Sequence, residues 1–361
     1  MKIIDMHCDT IYKLLTLEEQ GKPEGLRQNH RHIDLTRMKN SSYLLQNFAM
    51  FVELGCDGDP WERVCRLYQY YQTELERNSD ILAPVLRYED IAANEAAGKL
   101  SAMLTVEEGA VCQGDMGKLR KLYDMGVRMI TLTWNFPNEI GFPNFNMELG
   151  DRASKAKAAW EKCAPETAEY ERKREEAQAA FEAFNHTADE TRGLTDRGKE
   201  LVAEMERLGI IPDVSHLSDA GFYDVLAVTD KPFVASHSNA RSVCPCVRNM
   251  TDDMIRKLAG RGGVMGLNFC ADFLEEKPVG AEKPGAIEAL VRHAKYIANT
   301  GGIEILGLGS DFDGIGTPLD IPGAQGMEAL WEGMRKAGFT EGELDRIFYQ
   351  NVLRVYKDVL K

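Results

Sequence analysis

Three histidines stand where short apolar runs of the sequence end, and histidines in such a pattern could bind a metal ion. His7 and Asp9 flank Cys8 after the first run, while His216 and His237 close two later runs. Because side chains alternate along a strand, His7 and Asp9 point to one side and Cys8 to the other. A single strand-end histidine is more often structural, but three in the same placement predict a metal centre.

Carboxylates at two further run ends could complete this centre. The sequence Thr-Val-Glu-Glu-Gly offers Glu107 and Glu108, and alternation places Thr105 and Glu107 on one face, so Glu107 is the predicted ligand. The sequence Gly-Leu-Gly-Ser-Asp-Phe-Asp-Gly brings Asp311 and Asp313 after the last run. Taken alone, an Asp-Gly loop of this kind indicates only a turn.

The elements that must position these residues are eight apolar runs separated by amphipathic stretches such as 196–207, 252–258 and 287–298. This alternation indicates βα units on a parallel sheet, and eight units favour a closed (β/α)8 barrel of the TIM type. The active site of such an α/β barrel lies at the carboxyl ends of its strands. A doubly wound open sheet stays the alternative, since the pattern counts strands and does not show closure. The predicted strands are Lys2–Met6, Asn47–Val52, Ser101–Val106, Val127–Thr133, Ile210–Ser215, Pro232–Ser236, Gly263–Asn268 and Ile303–Gly309.

One segment interrupts this rhythm. Residues 151–185 are rich in Ala, Glu, Lys and Arg, and beyond Pro165 an apolar stripe with helical spacing follows, formed by Tyr170, Ala177, Phe181 and Phe184. We therefore expect a single barrel over residues 1–361 with a helical insertion at 151–185, after strand 4. The pattern is compatible both with a cap over the active site and with a solvated helix that has no role there.

Composition and charge exclude several classes of protein. The chain has 43 Lys+Arg against 57 Asp+Glu, and this net charge of −14 argues against a nucleic acid or an anionic membrane as partner. No run of about 18 apolar residues predicts a membrane span, and the N-terminus lacks the pattern of a signal peptide. The eight cysteines are scattered, which indicates reduced thiols and a cytoplasmic location rather than a disulfide framework.

Taken in order along the chain, these residues resemble the membrane (renal-type) dipeptidase family, zinc peptidases within the wider amidohydrolase-like barrels. Each motif is weak by itself, but the ordered set covers nearly the whole chain. The matching motifs are Asp-Met-His-Cys-Asp-Thr at 5–10, Val-Glu-Glu-Gly at 106–109, Thr-Leu-Thr at 131–133, Asp-Val-Ser-His at 213–216, Ser-His-Ser-Asn-Ala at 236–240, Arg248-Asn249, and Gly-Ser-Asp-Phe-Asp-Gly at 309–314.

The resemblance implies a cofactor of two Zn²⁺ ions per chain. His7 and Asp9 would hold one ion, His216 and His237 the other, and Glu107 would bridge both together with a water or hydroxide. Such a centre activates water for hydrolysis near neutral pH without a protein nucleophile. The implied substrates are small dipeptides, including those with a C-terminal D-residue, and the implied assembly is a homodimer.

The resemblance also implies roles for residues beyond the ligands. Asp311 would take a proton from the metal-bound water and pass it to the leaving amine, with Asp313 as the fallback. Arg248 would bind the free carboxylate of the dipeptide. Family members often carry a histidine after Thr-Leu-Thr, where this chain has Trp134 followed by Asn135. Both are expected to contact substrate, although an indole cannot titrate as a histidine does.

Three other interpretations of these residues remain open. One is another amidohydrolase-type metal hydrolase, such as a deaminase or an enzyme acting on a non-peptide amide or lactone; these more often open with His-x-His or use a carbamylated lysine. A second is a metal-free barrel that binds or regulates. A third is a structural zinc at Cys244 and Cys246, which would need further ligands, and no second cysteine pair is visible.

Overall fold

Eight parallel strands form a closed barrel in the computed structural model, which describes residues 1–281, 286–316 and 320–361. A ninth, short strand extends the sheet. The strands are β1 (Ile3–Asp5), β2 (Tyr43–Phe51), β3 (Leu82–Pro84), β4 (Leu100–Glu107), β5 (Val127–Thr131), β6 (Ile211–Asp213), β7 (Val234–Ala235), β8 (Val264–Leu267) and β9 (Leu306–Leu308).

The pairing of the strands closes the ring and excludes the open doubly wound sheet. Strand β1 pairs with both β2 and β9, and β2 pairs with β4, while β4 to β9 pair in succession. Each of the eight predicted runs overlaps one of the barrel strands, so the predicted TIM-type barrel is confirmed. Strand β2 begins four residues before its predicted run, at Tyr43. The ninth strand, β3, was not predicted. It pairs only with the first three residues of β4, before β5 begins its own pairing there at Leu104.

Helices surround the barrel and connect its strands. They are α1 (Thr10–Glu19), α2 (Leu35–Asn40), α3 (Pro60–Arg77), α4 (Tyr88–Ala96), α5 (Met116–Asp124), α6 (Met147–Trp160), α7 (Ala168–His186), α8 (Asp196–Leu208), α9 (Asp219–Val228), α10 (Asp252–Gly260), α11 (Ala271–Leu274), α12 (Ala286–Gly301), α13 (Met327–Lys336), α14 (Glu341–Asp345) and α15 (Asn351–Val359). Within the described ranges, no helix combines the length and the apolar character needed to cross a membrane.

Apolar side chains fill two regions on either side of the sheet. The larger cluster lies between the barrel and its helices, and the smaller one includes Ile4, Met103 and Val264 together with Val355 and Tyr356 of α15. The hydroxyl of Tyr356 donates to Asn47 Oδ1 at 2.9 Å, which ties the C-terminal helix to β2. Burial of this apolar surface is the main favourable contribution to folding, and it makes the barrel a rigid support for the residues at its rim.

The segment that interrupts the βα rhythm forms two helices, α6 and α7, with Pro165 in the turn between them. Helix α6 begins at Met147, four residues before the predicted start of the insertion at 151, because the Asn146 side chain caps the backbone N–H groups of Glu148 and Leu149. We refer to residues 147–186 as the α6–α7 hairpin. The predicted apolar stripe of α7 faces protein, since Ala177 is buried and Tyr170, Phe181 and Phe184 are half-buried.

One buried histidine predicts a pH dependence of stability. His293 of α12 accepts the Ala240 N–H through Nδ1 at 3.1 Å and donates from Nε2 to the Leu274 carbonyl at 3.0 Å. Burial lowers its pKa to about 4. The unfolded chain binds a proton at this residue below about pH 6.5, whereas the folded chain does not until about pH 4. Its contribution to stability is therefore complete above pH 6.5 and is lost as the pH falls.

We expect the wild-type chain to lose about 3 kcal/mol more of its free energy of unfolding between pH 7 and pH 4 than His293→Gln does. Urea unfolding of both chains at the two pH values measures this difference, and effects shared by the two chains cancel. A difference between wild type and variant that does not change with pH would contradict the assignment of a neutral buried imidazole.

Candidate metal centre and substrate cavity

Five potential ligands meet at the carboxyl ends of four barrel strands. His7 and Asp9 follow β1, Glu107 is the last residue of β4, and His216 and His237 lie just beyond β6 and β7. All five side chains are buried. Strand geometry explains the approach of the first pair, because His7 and Asp9 share one side while the Cys8 thiol turns away and donates to the Asn47 carbonyl.

Glu107 is the centre of this cluster. Its Oε2 lies 3.3 Å from His7 Nε2, and its Oε1 lies 3.2 Å from His216 Nε2 and 3.6 Å from His237 Nε2. His7 Nε2 is also 3.5 Å from Asp9 Oδ2. Among the described residues, two groups place three ligand atoms within 4.8 Å of one another: His7 with Glu107 and His237, and His7 with Asp9 and Asp311.

The other ring nitrogen of two histidines is engaged by the protein. His216 Nδ1 lies 3.0 Å from Asn135 Oδ1, and His237 Nδ1 lies 2.8 Å from Ser236 Oγ. Ser236 Oγ in turn donates to Asp213 at 2.5 Å, so it accepts the proton of His237 Nδ1. Both rings therefore carry their proton on Nδ1 and direct the lone pairs of Nε2 inward, as histidine ligands of metals do.

This arrangement fits a bound cation. The two Nε2 atoms of His216 and His237 are only 3.0 Å apart, and their lone pairs repel unless a positive charge lies between them and Glu107. His7 Nε2 and Asp9 Oδ1 are buried with no hydrogen-bond partner among the described residues. Buried polar atoms without partners are costly, and coordination of a metal ion would satisfy all of them.

The raised pKa values of Glu107 and His7 also indicate that the buried carboxylates of this site require positive charge nearby. Burial raises the pKa of Glu107 to about 8, although the neighbouring His7 opposes this shift. Burial disfavours the charged form of His7, but attraction to Glu107 and Asp9 outweighs it and raises the pKa of His7 well above its usual range. Without a metal ion, protons supply the positive charge that these carboxylates need, and a metal ion would displace them.

His216 and His237 are held neutral instead. Burial lowers the pKa of both rings well below the usual range, and the positive charges of Arg248 and His7 add to this effect. Imidazole binds a metal ion only in its neutral form. The cluster thus offers three imidazoles and two carboxylates, which is the donor chemistry of zinc sites.

Two aspartates that the sequence analysis did not single out support the cluster. Asp213 accepts hydrogen bonds from the hydroxyls of Thr131 and Ser236, which joins the ends of β5, β6 and β7. Asp5 accepts the backbone N–H and the hydroxyl of Ser310 at 2.9 and 2.6 Å, which joins β1 to the segment after β9. Each aspartate precedes a ligand histidine by two or three positions. The recurrence of an aspartate shortly before a ligand histidine is the sequence feature that could have identified these two supporting residues.

The loops that follow these strands adopt uncommon backbone conformations. His216, Asp311, Asp313 and Glu108 all have positive φ angles, of 70°, 62°, 69° and 98°. Such angles are strained for residues other than glycine and persist where the surroundings fix them. Here they turn the side chains of His216 and Asp311 toward the barrel axis.

The two aspartates after β9 occupy different environments. Asp311 faces the ligand cluster, where Asn268 Nδ2 donates to its Oδ2 at 3.0 Å, and burial raises the pKa of Asp311 to about 6. Asp313 is instead held by the hydroxyl of Thr10 at 2.6 Å and by the backbone N–H of His32 at 2.7 Å. Asp311 therefore lies beside His7 and Asp9, while Asp313 fixes the loop.

Glu108 turns away from the ligands and organises the neighbouring loop. Its carboxylate accepts the backbone N–H groups of Ala110 at 2.9 Å and Trp134 at 3.0 Å, together with the side-chain amide of Asn138 at 2.5 Å. Burial raises the pKa of Glu108 to about 7. These contacts hold the loop after β5 that carries Trp134 and Asn135.

A cavity of about 380 Å³ opens above the cluster, and aromatic side chains form part of its wall. Trp134 lies against Phe51 with ring centres 5.0 Å apart, in an edge-to-face arrangement, and 6.3 Å from the ring of His216. Asn135 also lines the cavity. Its contact with His216 Nδ1 orients the imidazole ring of that histidine. Other lining residues are Tyr12, Phe145, Phe273, Asp311 and Ile315.

Arg248 lies behind one wall of this cavity rather than in it. Its guanidinium carbon is 5.3 Å from the ring centre of Phe273, and Arg248 lines a smaller adjoining cavity together with His216. The Arg248 side chain is buried, one Nη donates to the His237 carbonyl at 3.4 Å, and its Nε has no hydrogen-bond partner among the described residues. An anionic ligand reaching this guanidinium would satisfy the remaining donors.

The cysteine pair considered for a structural zinc has other contacts. The thiol of Cys244 lies 3.7 Å from the Asp272 carbonyl and that of Cys246 lies 3.7 Å from Asn185 Oδ1. Neither cysteine belongs to a group of three potential ligands at binding distance in the described part of the chain.

A closed α/β barrel with a cluster of potential metal ligands at its mouth is the architecture of a metal-dependent hydrolase. Comparison with known proteins identifies the family. The family model described as membrane dipeptidase (peptidase family M19) matches residues 1–148 and 167–361. The chain therefore belongs to the membrane dipeptidase family, and it is a metallopeptidase of that family, a hydrolase. Residues 149–166, which comprise most of α6 and the turn after it, lie outside the match.

Individual relatives agree with this assignment. An uncharacterised dipeptidase from Schizosaccharomyces pombe is 30% identical over 389 residues, spanning 99% of this chain and 80% of the yeast protein. Dipeptidase AC, a metallopeptidase of family M19, superposes with a TM-score of 0.82 at 25% identity, covering 100% of this chain and 99% of that one. A metallopeptidase from Rhodobacter sphaeroides, liganded with a phosphinate mimic of the dipeptide L-Ala-D-Ala, has a TM-score of 0.81 at 24% identity over 99% of each chain.

Gly314 provides a test of the ligand geometry. A Cβ atom at this position would overlap the carboxylate oxygens of Asp9 and Asp311. We expect Gly314→Ala to weaken zinc binding by about 10- to 100-fold, the usual effect of disturbing the surroundings of a metal ligand. Titration with a competing zinc chelator measures the affinity.

Gly316 supplies the matched control, because a Cβ atom there has no atom within 4 Å among the described residues. Gly316→Ala should bind zinc as the wild-type chain does. Equal affinities for Gly314→Ala and the wild type would show that Asp9 is not a ligand.

Proposed function

We propose that the chain is a binuclear zinc dipeptidase that hydrolyses dipeptides, including those with a C-terminal D-residue. The observation that carries this proposal is the convergence of three imidazoles and Asp9 on Glu107 at the mouth of the barrel. Membership of the membrane dipeptidase family supports dipeptides as substrates. The Rhodobacter sphaeroides protein of the same fold, liganded with a mimic of L-Ala-D-Ala, is consistent with acceptance of a D-residue.

In this proposal His7 and Asp9 would hold one ion, His216 and His237 would hold the second, and Glu107 would serve both. The two oxygens of Glu107 face different histidines, Oε2 toward His7 and Oε1 toward His216 and His237, as a bridging carboxylate requires. When bound, two zinc ions would supply an activated hydroxide for attack near neutral pH and would polarise the peptide carbonyl.

Asp311 is the proposed general base and acid. Its Oδ1 is free of the hydrogen bond that Asn268 makes to Oδ2, and the carboxylate lies beside His7 and Asp9. A carboxylate in this position can accept a proton from the attacking water before bond cleavage and return it to the leaving amine.

Arg248 is proposed to bind the free carboxylate of the dipeptide, and Trp134 and Asn135 to contact the rest of the substrate. The buried guanidinium with its unpaired Nε favours an anion close to Phe273. The Trp134 indole carries a single donor and no titratable group, so it would shape the cavity and could donate one hydrogen bond.

Two proposals concern the setting of the enzyme. We propose a cytoplasmic location, because the eight cysteines are scattered along the sequence and give no pattern of a disulfide framework. We also propose a homodimer without nucleic-acid or membrane partners, on the basis of the family resemblance and the acidic charge of −14.

The function is tested by zinc content and by hydrolysis of L,L- and L,D-dipeptides. We expect about two zinc ions per chain and cleavage of both series. His216→Ala should lose measurable hydrolysis because it removes one ligand, whereas His30→Ala should retain it because His30 lies on the exposed surface and pairs with Glu24. A chain that holds two zinc ions and cleaves none of the dipeptides would overturn the proposed function.

Arg248→Lys tests carboxylate recognition. Lysine keeps the positive charge but loses the bidentate geometry of a guanidinium, so KM for a dipeptide should rise about tenfold while kcat changes little. Steady-state kinetics measures both constants. Arg256→Lys on α10, where the side chain is exposed and pairs with Asp252, is the control that should leave both constants unchanged. An unchanged KM in Arg248→Lys would exclude Arg248 from substrate binding.

A further inference from the structure

The α6–α7 hairpin reaches the wall of the substrate cavity through one aromatic side chain. Phe184 of α7 stacks on Phe145, with ring centres 4.5 Å apart and planes inclined by 23°. On its other side, Phe184 packs against α6, where a Cβ atom at Gly150 would lie 3.1 Å from the ring. Phe184 is therefore held between α6 and Phe145, and the position of the Phe145 ring depends on the hairpin.

The contact continues from Phe145 to the proposed carboxylate-binding arginine. Phe145 and Phe273 both line the cavity, and their ring centres are 6.3 Å apart. The Arg248 guanidinium lies 5.3 Å from the ring centre of Phe273. Four side chains thus form an unbroken series from the hairpin to Arg248, at spacings typical of interacting aromatic rings and cation–π pairs.

Polar contacts also fix the hairpin to the parts of the chain next to Phe273 and next to Arg248. His186 Nε2 lies 2.8 Å from Glu276 Oε1, and Gln178 Oε1 accepts the Val279 N–H at 2.9 Å, so α7 binds the segment that directly follows α11, the short helix that carries Phe273. The Val247 N–H donates to the Asn185 carbonyl at 2.7 Å, directly beside Arg248. A displacement of α7 would therefore be transmitted to both Phe273 and Arg248.

We infer that the α6–α7 hairpin is a specificity element, which positions Phe145 and Phe273 as an apolar wall for the side chain of the C-terminal residue of the substrate. This inference rests on the proposed function. If Arg248 binds the free carboxylate, the adjoining side chain lies next to Phe273, because the ring and the guanidinium are in contact. The preferred substrates are then dipeptides with a bulky apolar C-terminal residue, such as leucine or phenylalanine.

Part of the hairpin lies outside the match to the family model. Most of α6 falls within residues 149–166, which that model does not match. The α6 face that holds Phe184 through Gly150 therefore lies outside the region that the family model describes.

The test compares zinc-loaded wild-type chain and Phe184→Ala on L-Ala-Gly, L-Ala-L-Leu and L-Ala-L-Phe. We expect kcat/KM for the two bulky dipeptides to fall about five- to tenfold through a higher KM, the effect of losing one aromatic contact. The value for L-Ala-Gly should change less than about twofold, since glycine has no side chain to touch the wall. Phe184→Leu, which keeps apolar bulk, should restore part of the preference.

Tyr170→Ala is the matched control. It removes an aromatic ring from the same helix, but that ring contacts Trp160 within the hairpin and does not reach the cavity. The control should retain the wild-type order of substrates and the wild-type zinc content. If Phe184→Ala does not fold, Phe184→Leu and Phe145→Leu take its place in the test. For each variant, the ratio of kcat/KM for L-Ala-L-Phe to kcat/KM for L-Ala-Gly is compared with the wild-type ratio.

Two results would overturn the inference alone while leaving the proposed function intact: equal losses on all three dipeptides, or no loss on any of them. A wild-type chain that holds two zinc ions but cleaves none of the dipeptides would overturn the proposed function, and this inference with it. A loss of zinc from Phe184→Ala would also overturn the inference, because the hairpin would then act on the ligands and not on the substrate wall.

Discussion

Negative charge buried at the mouth of the barrel is the constraint on which the rest of the structure depends. Glu107 lies within 3.6 Å of three histidine nitrogens and is shielded from water, and a carboxylate in that position is stable only beside compensating positive charge. Burial raises the pKa of Glu107 to about 8, and attraction to the carboxylates raises that of His7. The same demand for positive charge makes the cluster a suitable place for metal ions.

The surrounding structure keeps these charges in place. Asp213 and Asp5 join neighbouring strand ends through hydroxyl and backbone donors, and Ser236 and Asn135 fix the orientation of two histidine rings. These contacts use strands from around the barrel. Closure of the ring is therefore what brings ligand atoms of His7 and His237, which are 230 positions apart in the sequence, within 4.8 Å of each other. The metallopeptidase activity of the family thus depends on barrel closure as well as on the ligand residues.

The residues that we propose to contact the substrate lie in less regular parts of the chain. The loop after β5 carries Trp134 and Asn135 and is held by Glu108, whereas Phe273 and Arg248 are held by the α6–α7 hairpin. The barrel fixes the chemistry while loops and the hairpin shape the cavity, a division of roles that is common in TIM-type barrels.

The sequence by itself determined the eight barrel strands and the residues at their ends, because alternation and apolar runs are local properties that fold the same way wherever the strand lies. It did not show that Asn135 holds His216, that Arg248 lies behind Phe273, or that Phe184 reaches Phe145. These contacts join residues far apart in the chain, and their distances depend on how loops pack after the barrel has closed. The short strand β3 was missed for a similar reason, since it exists only through its pairing with β4.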